Sequence, residues 1–420
     1  MSGTLRIYAS DLKLGMYVAQ LDRPWTDTPF MFQGFILERE EEIEMLQEYC
    51  TSVFVDMEKS TREAVARLAA LRPVTTAKKP SVKKPPKGEG FSEEAFRASL
   101  RRSHTVYRAA RRWIDQMLED SRLGNSIDTD QARELVTQLA DEVIRNPDAL
   151  VWLTFLKTRD EYTATHCMNV CILALTFGRC LGLDEDELHC LGLGALLHDL
   201  GKMQIPDEVL NKPGQLTEDE FDQMKQHPGL GFAMLGDDEN LNEVSLHIVL
   251  HHHERLDGRG YPAGLTAEEI PLLTRVSSIV DVYDAITSDR CYHDGIPPAE
   301  ALENLFKWAA GNFDVHLLEH FIKCIGIYPI GSVVRLSSGE VGIIVASDER
   351  NRLKPIILVV KGADGQPVAQ RRLLNMSSAV WKNSGKRLMI DKVLEPGDVG
   401  IDIKQVLQEE LNLTGGAATA

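Results

Sequence analysis

The sequence predicts a mainly α protein: an all-helical core with a small N-terminal α+β module and a small C-terminal β appendix. Three observations carry that reading. From Ser92 to about Ile325, apolar residues recur at helical spacing, broken by Gly- and Pro-containing loops at 211–214 and 256–265. Residues 1–72 instead alternate short apolar runs with turn signals, and after Tyr328-Pro329 the chain switches to β-branched runs.

Within residues 1–72, Met16-Tyr17-Val18 and Val53-Phe54-Val55 read as strands, and Ile43, Leu46 and Tyr49 give Glu38 to Tyr49 a helical face. Residues 73–91 read as a linker. Thr75 to Gly90 carries five Lys with Pro80, Pro85 and Pro86, and Pro73 stands just before. Residues 92–150 form a helical connector in which Phe96, Leu100, Tyr107, Ile114 and Leu118 interleave with arginines. A second helix starts at Asp128, with Gln131 completing a capping box. Residues 151–327 form the helical core proper. In residues 328–412, Val333-Val334, Val341 to Val345 and Ile356 to Val360 are strands separated by Ser-Ser-Gly and Ala-Asp-Gly turns. The tail, 413–420, is expected to be disordered.

The chain has 420 residues, 43% hydrophobic and 26% charged, within the range of folded globular proteins and long enough for two or three domains. No uninterrupted apolar segment of membrane-spanning length appears, and Met1 to Arg6 lacks a secretory h-region, so a cytoplasmic location is expected. The seven cysteines form no Cys-x-x-Cys pair and read as reduced; Cys167, Cys171 and Cys180 fall at helical spacing among apolar neighbours, as core residues do. A net charge of −17 argues against general or sequence-specific nucleic-acid binding. The charge is uneven: Thr75 to Arg112 holds eleven Lys or Arg against three Glu. The six arginines from Arg97 to Arg112 suit an intramolecular or dimer contact on an acidic surface better than a nucleic acid.

Eight of the twelve histidines lie between residues 166 and 253. A single His on an apolar helix is usually structural. His251-His252-His253-Glu254 is different, because adjacent protonated imidazoles repel one another and coordination to a cation relieves that cost. Leu196-Leu197-His198-Asp199-Leu200-Gly201-Lys202 adds a His-Asp pair within an apolar helix that ends at glycine. With His166, His227, His252, His253 and Asp281 it makes a mixed imidazole and carboxylate set, suited to iron, manganese or zinc. Asp199 has two oxygens and could bridge two ions. Two bridged cations lower the pKa of a shared water and clamp a phosphodiester, so metal-assisted phosphate hydrolysis is the expected reaction class.

His198-Asp199-x-Gly-Lys202 followed by His252-His253-Glu254-Arg255-x-Asp257-Gly258-x-Gly260-Tyr261-Pro262 resembles the HD-GYP family. The resemblance runs through Ile205-Pro206, Lys212-Pro213-Gly214, His227-Pro228 and Asp281 to Arg290, roughly residues 155–325. The N-terminal segment is similar to an uncharacterised module often found ahead of such domains, where a signalling partner would act. The resemblance implies an HD-type phosphohydrolase fold and hydrolysis of cyclic di-GMP to pGpG and, in many members, GMP, with effects on biofilm and motility. It implies that His166, His198 and Asp281 hold one divalent metal, iron or manganese, that His227, His252 and His253 hold the other, and that Asp199 bridges them. Lys202 would approach a phosphate oxygen. Gly258 to Pro262, including Gly260, Tyr261 and Pro262, would shape the nucleotide pocket, with Asp284 and Arg290 as further substrate contacts.

Two departures from the family pattern stand out. Members with a third metal carry Glu where this chain has Tyr162, so two metals are expected. The family's Pro-Tyr followed by a basic residue after the arginine is Cys291, Tyr292 and His293 here, which leaves selectivity open. The competing functions are hydrolysis of another cyclic dinucleotide, such as cyclic GMP-AMP, and sensing of cyclic di-GMP without turnover. All seven proposed ligands are present, which favours the enzyme. His247 and His251, spaced i,i+4, lie outside the matched set. Glu254 and Asp257 fit either orientation of imidazoles or stabilisation of the loop.

Overall fold

The computed structural model describes residues 4–22, 35–37, 40–57, 59–61, 92–156, 162–236, 238, 241–288, 295–347, 354–377 and 388–415. The chain divides between Gly90 and Phe91 into two compact units. In the first, β1 (Thr4–Tyr8), β2 (Tyr17–Leu21), β3 (Phe35–Ile36) and β4 (Ser52–Asp56) form an antiparallel sheet of order β1-β4-β2-β3. Ile7, Met16 and Val18 meet Val53 and Val55 in a core closed by Ile43 and Leu46 of α1 (Glu40–Tyr49). The strand alternation and the helical face of the sequence are both realised.

In the second unit, α2 (Glu93–Arg122) starts where Ser92 accepts a hydrogen bond from the Ala95 amide. Its apolar stripe, Leu100, Tyr107, Ile114 and Leu118, is buried, and its arginines lie to the sides. Asp128 caps α3 (Thr129–Arg145) by accepting from the Gln131 amide. The short α4 (Pro147–Leu153) follows and buries Trp152.

The centre of the unit is α5 (Tyr162–Leu181), in which every residue from Ala164 to Gly178 is buried. It is long and apolar enough to cross a membrane, yet 83% of that stretch is buried inside the protein, as befits a bundle's central helix. It packs on α3, on α6 (Glu185–Leu197) and on α11 (Leu272–Thr287). Between α6 and α11 come a 3-10 turn (Leu200–Gln204), α7 (Asp207–Leu210), α8 (Glu218–Met224), α9 (His227–Leu235) and α10 (Glu243–His251). Helices α12 (Pro298–Asn312) and α13 (Val315–Ile325) complete the bundle.

The β appendix is a five-stranded antiparallel sheet, order β8-β7-β6-β5-β9, built from β5 (Val333–Leu336), β6 (Val341–Ala346), β7 (Ile356–Lys361), β8 (Pro367–Asn375) and β9 (Ile390–Leu394). Asp148 at the start of α4 accepts from the Ser347 amide at 3.0 Å, tying sheet to bundle.

Three expectations are corrected. Cys180 and Cys324 are not reduced core thiols but form a disulfide between α5 and α13. The start of the expected disordered tail is instead helical, because α14 (Ile403–Gly415) runs through it; residues 416–420 lie outside the described residues. The His198-Asp199 pair is not inside its helix, since α6 ends at Leu197 with His198 as the capping residue.

Candidate metal centre

Five elements converge on one buried cluster. His166 comes from the first turns of α5, His198 and Asp199 from the end of α6, and His227 opens α9. His252 and His253 follow α10, and Asp281 lies on α11. The 3-10 turn after Asp199 brings α6 and α9 together at Gly201. A Cβ there would stand 1.9 Å from the His227 carbonyl oxygen and 2.4 Å from the Gly231 nitrogen, so only glycine permits the approach.

Asp199 is the hub. Its Oδ2 lies 3.3 Å from His198 Nε2 and 3.5 Å from His166 Nε2, while its Oδ1 lies 3.3 Å from His227 Nε2 and 3.8 Å from His252 Nε2. One carboxylate therefore faces two imidazole sets with different oxygens. The same partition defines two candidate metal groups, His166-His198-Asp199 and Asp199-His227-His252-His253. Asp281 Oδ1 joins the first at 3.0 Å from His166 Nε2, and its Oδ2 lies 3.9 Å from His253 Nδ1. All seven sequence-predicted ligands thus meet in one place.

The electrostatics suit cation binding. Burial opposes ionisation of Asp199, but His198 and Lys202 outweigh it and hold the carboxyl well below its usual range. Burial is likewise overcome at Asp281 by the hydrogen bond with His166. Burial, with His198 and His227 alongside, pushes His252 down to about 3. Burial lowers His227, and burial with His252 lowers His253. His166 moves up instead, because its two carboxylates outweigh its burial. Ionised carboxylates beside neutral imidazoles are the protonation states that metal ligands need.

The donor set fits a metal on direct observation. His198 Nε2 is buried with no hydrogen-bond partner among the described residues, while its Nδ1 is committed to the Ala195 carbonyl. His227 Nε2 and His252 Nε2 face each other at 3.3 Å, while their Nδ1 atoms are held by backbone carbonyls at Met224 and Val249. Those carbonyls require a proton on Nδ1 and leave the Nε2 lone pairs aimed at a common point.

Several supporting residues take roles that the sequence did not assign. Asp284, expected to contact substrate, is instead 1% exposed behind His166. It accepts from the ring at Nδ1, from Asn169 Nδ2 and from Ser288 Oγ, which leaves it no face toward a nucleotide. Asn169 was missed, although an amide three residues after His166 in an otherwise apolar helix was a usable signal. Glu254 stabilises the loop: its buried carboxylate accepts from the amides of Ala263, Gly264 and Leu265 at 2.7, 3.1 and 3.0 Å. Gly260 crosses close over that segment, where a Cβ would stand 2.4 Å from Glu254 Cα. This loop places the Tyr261 ring 4.7 Å from that of His253, with Pro262 exposed beside it. Lys202 Nζ lies 2.5 Å from Asp199 Oδ2. The His247 and His251 rings lie tilted against each other, centroids 4.3 Å apart, outside the cluster. Arg290, Cys291, Tyr292 and His293, and the Tyr162 side chain, lie outside the described residues.

Residues 150–317 match the family described as HD domain, and residues 4–132 match a domain of unknown function, DUF3391. The second match crosses the linker and includes α2. The chain is 39% identical over 379 residues to the cyclic di-GMP phosphodiesterase PA4108 of Pseudomonas aeruginosa, covering 89% of each protein. It is 39% identical over 169 residues to the cyclic di-GMP phosphodiesterase response regulator RpfG of Xanthomonas campestris pv. campestris, covering 40% of this chain and 45% of that one. It is 32% identical over 193 residues to the 3'3'-cGAMP-specific phosphodiesterase 2 of Vibrio cholerae, covering 46% and 34%.

Proposed function

Because this chain belongs to the HD-GYP family of cyclic-dinucleotide phosphodiesterases, we propose that its cluster holds two divalent cations, iron or manganese, for hydrolysis of cyclic di-GMP to pGpG. The observation that carries the two-metal reading is the split of Asp199, whose two oxygens serve different imidazole sets. His166, His198 and Asp281 would hold one ion, and His227, His252 and His253 the other.

When bound, the cations supply Lewis acidity toward the phosphodiester and lower the pKa of a coordinated water. The chain's own residues do the rest. The backbone carbonyls at Ala195, Met224 and Val249 fix the tautomers, so the ligand nitrogens need no reorganisation. Lys202, on the 3-10 turn beside Asp199, brings an ammonium to the charge that grows on a non-bridging phosphate oxygen. Tyr261, held over His253 by the Glu254-anchored loop, offers a ring on which a guanine base can stack.

The test is anaerobic purification with metal analysis, then product analysis on cyclic di-GMP and on cyclic GMP-AMP. About two metals per chain and faster turnover of cyclic di-GMP to pGpG are expected. Binding of cyclic di-GMP by the metallated protein without turnover would make it a receptor. Preferential turnover of the mixed-base substrate would reassign the specificity.

A further inference from the structure

The basic run on α2 takes no part in the metal cluster, and the structure divides its arginines. Arg97 pairs with Glu93 and Glu410, Arg102 with Glu142 and Arg111 with Asp115. Arg108 and Arg112 have no ion-pair partner among the described residues, and each is exposed on the face of α2 that turns toward α14. Between them lies a cavity of about 500 Å3, within the range of small-molecule sites.

His104, Arg108, Arg111, Arg112 and Lys404 line it, and among the described residues no carboxylate does. Five cationic or protonatable groups around one cavity reverse the character of a chain with net charge −17. Leu156 and Leu411 add apolar wall, and the Gln408 and Asn412 side chains add amides able to read a base edge. Tyr107 also lines the cavity; it is 4% exposed and its buried hydroxyl has no hydrogen-bond partner among the described residues. The wall on the α14 side is pinned, since Glu410 is held by Arg97 and Glu409 by Arg371.

We propose that the cavity between α2 and α14 is a regulatory binding site for a nucleoside di- or triphosphate. One phosphate leaves most of the cationic lining unmatched, whereas a chain of two or three spans Arg108, Arg112 and Lys404, as arginine forks favour. The apolar and amide wall then takes the nucleoside. The site shares no lining residue with the metal cluster, but it is connected to it. Arg111 donates to Thr165 Oγ1, and Thr165 immediately precedes the ligand His166 on α5. A phosphate that draws Arg111 away from Thr165 acts on the turn that carries His166, and occupancy of either site changes the affinity of the other by the same factor.

Isothermal titration calorimetry on the full-length, metal-loaded protein tests this, with GTP, ATP and inorganic tripolyphosphate as probes. GTP or ATP should bind one site per chain, and Arg108→Ala/Arg112→Ala should weaken that binding at least about tenfold while metal content stays at the wild-type level. Arg101→Ala, an exposed arginine of the same helix outside the cavity, should bind normally, as should Lys202→Ala in the metal centre. Saturating nucleotide should change turnover in the wild type and not in the double variant. Absence of binding at millimolar nucleotide, equal binding by the double variant, or loss of binding in Lys202→Ala overturns the site. Equal affinity for tripolyphosphate overturns the nucleotide assignment, and unchanged turnover at saturation overturns the regulatory role.

Discussion

Asp284 Oδ2 lies 2.8 Å from His166 Nδ1, and Asp281 Oδ1 lies 3.0 Å from His166 Nε2, so one imidazole is held between two carboxylates of a single helix. The i,i+3 spacing of the acids on α11 sets this arrangement, with Asp281 in the cluster and Asp284 behind the ring. Removing the rear carboxylate with Asp284→Ala should leave the seven ligands intact yet weaken metal retention about 10–100-fold. Competition with a graded chelator measures it. Asp284→Asn, which keeps an acceptor for the ring, should lose less. Wild-type retention in Asp284→Ala would show that the packing of α5 alone fixes the His166 ring.

Glu254 invites a second substitution. Its carboxylate accepts from three consecutive loop amides, so Glu254→Gln turns one acceptor into a donor that faces an N–H, at a cost of roughly 1–3 kcal/mol. The cost falls on the loop that carries Tyr261. The expected result is unchanged metal content, a KM for cyclic di-GMP raised about tenfold or more, and faster proteolysis within 258–265. A loss of metal with no change in KM would place Glu254 with the imidazoles after all.

The candidate metal cluster was legible in the sequence because its residues are costly anywhere else. Adjacent His252 and His253 and a His-Asp pair among leucines have little packing value, and the cluster brings them together. Function on the back of the site was less legible. Asp281 and Asp284 look alike in sequence, and only the orientation of α11 against α5 decides which carboxylate meets which ring nitrogen. Long-range pairings were not legible at all. Cys180 and Cys324 are 144 residues apart, and the cavity beside Arg108 exists only because α14 folds back onto α2. The helical core and both sheets followed from periodicity, whereas the end of α6 at Leu197 depends on how the 3-10 turn meets α9.

Asp199→Ala and Lys202→Ala should separate metal binding from chemistry. The first removes the group shared by both imidazole sets, so both metals and activity should be lost together. The second keeps every ligand and removes a cation near the reacting phosphate. Metal content should hold while kcat falls about 100-fold or more, the scale of losing one stabiliser of transition-state charge. Metal analysis beside single-turnover kinetics decides, and full turnover by metallated Lys202→Ala would reduce that lysine to a partner of Asp199.

Acid should weaken the metal-free protein through its neutral imidazoles. His227, His252 and His253 have folded-state pKa values below the ordinary value near 6.5, so as pH falls through that value the unfolded chain takes up protons that the folded chain does not. Each such group removes up to about 1.4 kcal/mol of stability per pH unit. His166 is shifted upward and works in the opposite sense, its contribution being present at low pH and lost as pH rises through its folded value. Three against one within the cluster, with His104, His247 and His251 also lowered by burial, gives a Tm that drops between pH 7 and 5 in chelator-treated protein, and His252→Gln should flatten the slope. A level or rising Tm would contradict the neutral assignment.

Gly201 offers the most direct test of how the centre is assembled. The methyl group of Gly201→Ala would overlap the His227 carbonyl and the Gly231 amide, which are backbone atoms with no rotamer to yield. Relief requires α9 to move away from the 3-10 turn, and that motion carries His227 away from Asp199 Oδ1, now 3.3 Å distant. The metal held with His227, His252 and His253 should therefore be lost preferentially, leaving about one ion per chain and at most a few per cent of wild-type turnover. The His166 side of the cluster is set by α5, the end of α6 and α11, and should keep its ion. Because this substitution also destabilises the fold, Gly229→Ala, a glycine of α9 with open space around its Cβ position, is the matched control and should behave as wild type. Equal loss of both metals from folded Gly201→Ala would mean that Asp199, rather than the approach of α9, limits assembly of the pair.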